Sequence, residues 1–77
     1  MAQVKTLSEI EGDETVKIMA INGASKFQER LQEMGLIPGT VVSLISKIAF
    51  GGPLALHVRG SKIALRRQDT NQILVSA

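Results

Sequence analysis

The chain has 77 residues, with no Cys, Trp or Tyr, two Phe and one His. That inventory excludes a disulfide framework, a thiolate metal site, an iron–sulfur cluster and a cysteine nucleophile. The formal net charge of +2 comes from 9 Lys+Arg interspersed with 7 Asp+Glu, which is weak evidence for a polyanionic partner.

A domain of this length buries only about 60% of the surface its unfolded chain exposes. The aliphatic residues must therefore supply nearly all of the core, and one domain over residues 1–77 is expected. No apolar run approaches the roughly 18–20 residues that cross a bilayer. Met1-Ala2-Gln3-Val4-Lys5 meets Glu9 and Glu11 before any apolar stretch, so no leader is expected and the cytoplasm is the expected location.

Thr6-Leu7-Ser8-Glu9 reads as a capping box opening a short helical turn that carries Leu7 and Ile10 inward. Thr15 to Ile21 reads as a strand, with Val16, Ile18 and Ala20 on one face and Lys17, Met19 and Ile21 on the other. Asn22-Gly23 is a strand-to-helix turn. Ser25 to Met34 is the clearest helix, with Phe27, Leu31 and Met34 in one apolar stripe and Ser25 and Gln28 as a second capping box. Gly35 stands where a left-handed helix-ending residue belongs, and Leu31 and Leu36 are spaced for the hydrophobic contact of a Schellman ending.

Pro38-Gly39 is a type II turn pair. Thr40 to Ile48 reads as a strand with Val42, Leu44 and Ile48 on one face and Val41 and Ile45 on the other, a pattern that predicts burial on both sides or a strand shared between the sheets of a barrel. Ala49-Phe50-Gly51-Gly52-Pro53 is a loop. Leu54 to Arg59 and Lys62 to Arg67 form a hairpin about a Gly60-Ser61 loop, which sets Val58 opposite Ile63 and His57 opposite Ala64. Its inner face is Leu56, Val58, Ile63 and Leu65; its outer face is Ala55, His57, Arg59, Lys62, Ala64 and Arg66. A helical turn over Gln68 to Asn71 and a closing strand from Gln72 to Val75 follow. About five short strands with one helix between the first and second suit a small, bent antiparallel barrel of SH3-like or OB-like type, mainly β.

No residue is assigned a catalytic role. His57 is flanked by Arg59 and Arg66, with no orienting acid or nucleophile in reach of the sequence argument. It is the one side chain offered as a metal ligand, beside its plainer reading as a surface residue. Glu9, Glu11, Asp13 and Glu14 lack the alternating spacing of a calcium loop and read as a solvated turn. The hairpin's outer face is basic, but single-strand binding relies on aromatic stacking, and Phe27 and Phe50 are the chain's only aromatic residues, so nucleic acid is not the expected partner. Met34, Leu36, Ile37 and Pro38 at the helix end, with Phe50 in its loop, are the candidate contacts to a protein partner, beside core packing as the alternative. Self-association through an open sheet edge is a further option.

Leu31-Gln32-Glu33-Met34-Gly35-Leu36-Ile37-Pro38-Gly39-Thr40 resembles the L-x-x-M/L-G-L/M-x-P-G-T/S signature of the small FeoA-type proteins of bacterial and archaeal ferrous iron uptake. Thr6-Leu7-Ser8, Ile21-Asn22-Gly23, Val58-Arg59-Gly60 and Ala64-Leu65-Arg66 fall in that family's order, so the resemblance spans essentially the whole chain. Ala49-Phe50-Gly51-Gly52-Pro53 resembles the family's A-P-L-G-D-P-type loop but has Gly52 in place of the usual acidic residue. The resemblance implies an SH3-like barrel with an inserted helix, in which Gly35, Gly39 and Gly60 are structural. It also implies a non-enzymatic cytosolic accessory to FeoB, a membrane permease with a cytoplasmic GTPase domain. The same fold forms the C-terminal domain of metal-dependent repressors of the diphtheria-toxin-repressor type. The alternative implied is therefore a sensor that binds a divalent transition metal such as Fe2+, with His57 as a ligand.

Overall fold

The computed structural model describes residues 4–77; Met1, Ala2 and Gln3 of the expected domain lie outside the described residues. Six strands form one antiparallel sheet in the order β1-β6-β2-β3-β4-β5. They are β1 (Val4–Thr6), β2 (Thr15–Ile21), β3 (Val41–Lys47), β4 (Leu54–Val58), β5 (Ser61–Leu65) and β6 (Ile73–Ser76). Helix α1 (Ser25–Glu33) joins β2 to β3, and α2 (Arg67–Thr70) joins β5 to β6. This is the small, mainly β antiparallel fold the sequence implies, with β1 and β5 left as the two edges. β1 is an addition to the expected strands. Only three residues long, it pairs Val4 with Ser76 and Thr6 with Leu74, too short a run for alternation to reveal.

Leu7, Ile10, Val16, Ile18, Leu31, Val42, Leu56 and Val75 lie in a single buried cluster. Leu7 enters it from the single 3₁₀ turn Leu7–Glu9, where the Thr6 backbone N–H donates to Glu9 Oε1 at 3.2 Å and the Thr6 hydroxyl at 2.9 Å. Lys5 closes the other side of this corner, its Nζ 2.7 Å from Glu14 Oε2.

Two bulges correct the expected faces. The β2–β6 register shifts between Ile18 and Ala20, so Ile21 turns inward to pack on the core and Met19 is left 49% exposed. The β3–β4 register shifts between Leu44 and Ser46. Past that point the inward phase passes to Lys47, whose Nζ donates to Ile10 O at 3.1 Å, and Ile48 is turned out. The second apolar face of β3 is not buried: Val41 and Ile45 are 53% and 46% exposed.

The hairpin turns one residue earlier than expected. Arg59 and Gly60 both have positive φ, +51° and +81°, the pattern of a type I′ turn, which matches the right-handed twist of the strands it joins. Val58 therefore faces Ser61, His57 faces Lys62 and Leu56 faces Ile63. Each partner moves by two positions, so the paired side chains keep their predicted faces, while Arg59 leaves the strand for the turn. The capping box at Ser25 and Gln28 is also not made. Ala24 occupies the N-cap, and Gln28 Nε2 reaches past it to donate to Gly23 O at 3.0 Å.

Thr6 lowers the Glu9 carboxyl below its ordinary value of 4.5, through the backbone bond first and the hydroxyl second. The Lys5 ammonium, then the Glu11 backbone N–H, lowers Glu14 below the same value. Carboxyls depressed by folding stabilise the fold fully above 4.5 and lose that contribution as pH falls through their lowered values. Urea unfolding followed from pH 7 down to pH 2 is expected to show stability declining on the acid side of 4.5, with a shallower decline in Glu14→Gln.

Candidate functional site

The end of α1 is built to turn one apolar residue in and the next out. Gly35, at φ +87°, reverses the chain after the Met34 cap. Its N–H donates to Gln32 O at 3.0 Å, and the Leu36 N–H donates to Leu31 O at 2.9 Å. These are the two bonds of a Schellman ending, and they satisfy carbonyls the helix would otherwise orphan. Leu31 and Leu36 meet beneath them in the core. Leu36 has no exposed surface, so it is a core residue and cannot serve as the partner contact expected of it.

Ile37 and Pro38 point the other way. Thr40 N–H donates to Ile37 O at 3.0 Å with Gly39 at φ +95°, as the Pro-Gly pair predicts for a type II turn. The turn is stapled to β2 from both sides: Gly39 N–H to Ile18 O at 2.7 Å, and Ile18 N–H to Thr40 O at 2.9 Å. The Thr40 hydroxyl donates to Gly35 O at 3.1 Å and ties the turn to the helix end. Ile37 is thus held 37% exposed on a rigid corner, with Met34 38% exposed nearby in sequence.

Two shallow grooves share that corner. One, of about 440 Å³, lies between Ile37, Pro38, Met19 and the α1 side chains Gln28 and Gln32. The other, of about 620 Å³, lies between Ile37, Pro38, Val41, Ser43, His57 and Arg59. Sequence reasoning missed Met19 and Val41 as surface residues. Met19 shares the outward phase of Lys17, and Val41 is exposed because the outer face of β3 is open.

Phe50 is not part of this surface. It stands wholly in solvent in the β3–β4 loop, while the Ile37 corner precedes β3, so the two lie at opposite ends of a strand roughly 20 Å long. Its own loop is stiff. Arg67 Nε donates to Gly52 O at 3.1 Å and Arg67 Nη2 to Ile48 O at 2.9 Å. A Cβ at Gly52 would sit 2.6 Å from Ile48 Cβ, so a larger side chain there would require Ile48 to shift.

His57 is exposed on the outer face of β4, with Ser43 and Lys62 as its cross-strand neighbours. Among the described residues no three His, Asp or Glu side chains converge. A lone imidazole beside an ammonium does not fit a divalent transition metal, which needs several neutral or anionic donors. Glu9 and Glu14 are committed to the β1 corner rather than to any ligand set.

Comparison with known proteins identifies the lineage. The FeoA domain profile matches residues 5–77. The chain belongs to the FeoA domain family. It is 26% identical over 69 residues to an Fe(2+) transport protein A/Fe(2+) transporter FeoB fusion protein of Porphyromonas gingivalis, an alignment covering 90% of this chain and 8% of that protein. This FeoA domain therefore spans only a small part of the curated relative it matches. The solution structure of a FeoA-like protein from Clostridium acetobutylicum superposes with a TM-score of 0.84 at 33% identity, over 97% of this chain and 87% of that one. A crystal structure of an iron uptake regulatory protein (FeoA) gives 0.89 at 24% identity, over 97% and 100%. A manganese-dependent transcriptional repressor shares the fold, with a TM-score of 0.89 at 12% identity over 100% of this chain and 43% of that one.

Burial separates two neighbouring residues of the family signature. Leu36→Ala is expected to destabilise the fold by about 2–5 kcal/mol in urea unfolding, as truncation of a fully buried leucine does. Ile37→Ser is expected to change it by less than about 1 kcal/mol.

Proposed function

We propose that this FeoA domain is a non-enzymatic, cytosolic accessory of ferrous iron uptake that docks on the cytoplasmic part of a FeoB-type permease. The observation that carries the reading is the Porphyromonas gingivalis relative, in which a segment similar to this chain is joined to an FeoB transporter. Covalent fusion holds two partners at high effective concentration, a useful arrangement when they act in contact. The iron would then be cargo of the permease. Among the described residues no helix is long and apolar enough to cross a membrane, which fits a partner that works from the permease's aqueous side.

The docking surface in this reading is the corner of Ile37 and Pro38, flanked by Met34, Met19 and Val41. These side chains are exposed and aliphatic, yet held on a hydrogen-bonded turn, so little conformational freedom is lost on binding. Phe50 would form a separate contact at the far end of β3.

A second reading, a divalent-metal sensor using His57, is favoured by the fold shared with the manganese-dependent repressor. The docking reading is preferred because His57 faces Lys62 and Ser43 rather than carboxylates.

Calorimetric titration of the chain into the cytoplasmic region of the cognate permease is expected to give saturable binding, weakened about tenfold or more by Ile37→Ser, as loss of an interface anchor does. Absence of association, with or without guanine nucleotide and lipid, overturns the docking. Anaerobic titration with Fe(II) is expected to show no binding that His57→Ala abolishes; such binding would favour the sensor.

A further inference from the structure

We propose that the groove between Ile37, Val41, His57 and Arg59 receives an extended protein segment carrying a carboxylate beside an aliphatic side chain. This inference rests on the docking reading and names the chemistry of the partner segment.

The charge distribution comes first. The seven carboxylates are Glu9, Glu11, Asp13, Glu14, Glu29, Glu33 and Asp69. None lies on β2, β3, β4 or β5. The cations are distributed in the opposite way. Lys5 pairs with Glu14, and Arg30 and Arg66 share Asp69. Lys47 and Arg67 donate to backbone carbonyls. Lys17, Arg59 and Lys62 have no side-chain partner among the described residues, and apart from Lys26 on α1 they are the cations left over. Arg59 lines the groove itself. Lys17 and Lys62 do not line it but stand next to it, as cross-strand partners of the lining residues Val41 and His57. An acid-free face with unsatisfied cations attracts an anion and repels a basic segment.

The position of Arg59 is a second and independent observation. It occupies the first turn position at φ +51°, in the left-handed region where a long side chain is disfavoured and Asn, Asp or Gly is preferred. Its Cδ lies 3.5 Å from where a Gly35 side chain would begin, ordinary contact distance, so the arm lies along the helix end. An arginine held in an unfavourable backbone conformation, with its guanidinium free at a groove rim, is better explained by recognition than by folding.

The apolar part of the groove selects among anions. Val41 and Ile37 are aliphatic and exposed at its centre, and no aromatic side chain offers a base-stacking platform, since Phe27 lies on α1 and Phe50 at the far end of β3. A carboxylate reaching Arg59 with a leucine-like side chain against Val41 satisfies both halves.

The test uses amide chemical shifts of the chain titrated with acetyl-Ser-Glu-Asp-Leu-Leu-Glu-Ser-amide, and with its counterpart bearing Gln and Asn for Glu and Asp. The acidic peptide is expected to shift Val41, Ser43, His57 and Arg59 and to bind at least tenfold more tightly than the amide peptide. Arg59→Asn should reduce it to the amide peptide's affinity while leaving the thermal midpoint unchanged or a few degrees higher, because Asn-Gly suits the turn. Equal affinities, shifts confined elsewhere, no effect of Arg59→Asn, no binding, or tighter binding of poly(dT) or phosphatidylserine vesicles at this face each overturns the proposal. If the permease region binds wild type and Arg59→Asn alike, docking stands and the groove inference is wrong. If the acidic peptide binds here and the permease region does not bind, the groove inference stands and the docking reading is wrong.

Discussion

Two hydrogen bonds at the end of α1 decide which way the following residues face. With Gly35 at φ +87°, its N–H reaches Gln32 O and the Leu36 N–H reaches Leu31 O, so the chain reverses within one residue. Leu36 then has no option but the core, where it meets Leu31, and Ile37 has no option but the surface. A β-branched residue at Gly35 would force an L side chain into a conformation it resists and put its Cβ against the Arg59 arm. The Pro38-Gly39 turn inherits its position from this reversal, and through the Gly39 to Ile18 bond it sets where β3 begins beside β2. The family signature over residues 31–40 is thus a folding instruction whose by-product is a rigid exposed corner.

The bulges extend the same logic into the sheet. A strand with apolar residues on both faces would ordinarily be covered on both. Here the outer face of β3 stays open, and the two register shifts determine which residues decorate the opening: Met19 at one, Ile45 at the other. The sheet must bend to wrap so small a core, and a bulge is the usual local device for bending. The exposed aliphatic side chains therefore follow from closing the core with 77 residues rather than from a shortage of polar ones. What surrounds them is not a consequence of folding. The carboxylates sit at the β1 corner and on the helices, and of the cations without a side-chain partner among the described residues all but Lys26 sit by the open face.

Most of the architecture was legible because its signals are local. Thr6 and Glu9, the alternation from Thr15 to Ile18, and the Gly35 and Pro38-Gly39 spacing each act within a few residues, and the corresponding turn, strand and helix ending form, the β2 alternation breaking only at its bulge. The failures share a cause. Ser25 and Gln28 have capping-box spacing, but Ala24 takes the cap, since the entry angle of the chain from Gly23 decides which residue is last outside the helix. Gly60-Ser61 is as plausible a two-residue loop as Arg59-Gly60, and only the pairing of β4 against β5 chooses between them. The second face of β3 reads as buried from sequence because composition cannot reveal that no layer covers it. Of the candidate site, Ile37, Pro38 and Met34 could be named from the signature, while Leu36 could be removed only by seeing it buried.

The earlier hairpin turn also changes the meaning of one residue. With the turn at Gly60-Ser61, Arg59 would be an ordinary outer-face strand residue, one basic side chain among several. With the turn at Arg59-Gly60, it stands where glycine, asparagine or aspartate would relieve the backbone at φ +51°. Its arm also lies against the end of α1, with Cδ at contact distance from Gly35. The glycine that reverses the helix therefore lies beside the arginine that charges the groove. Two segments far apart in sequence, the helix ending and the hairpin turn, meet on one surface. On that surface a guanidinium and an aliphatic corner stand side by side, beside strands that carry no carboxylate.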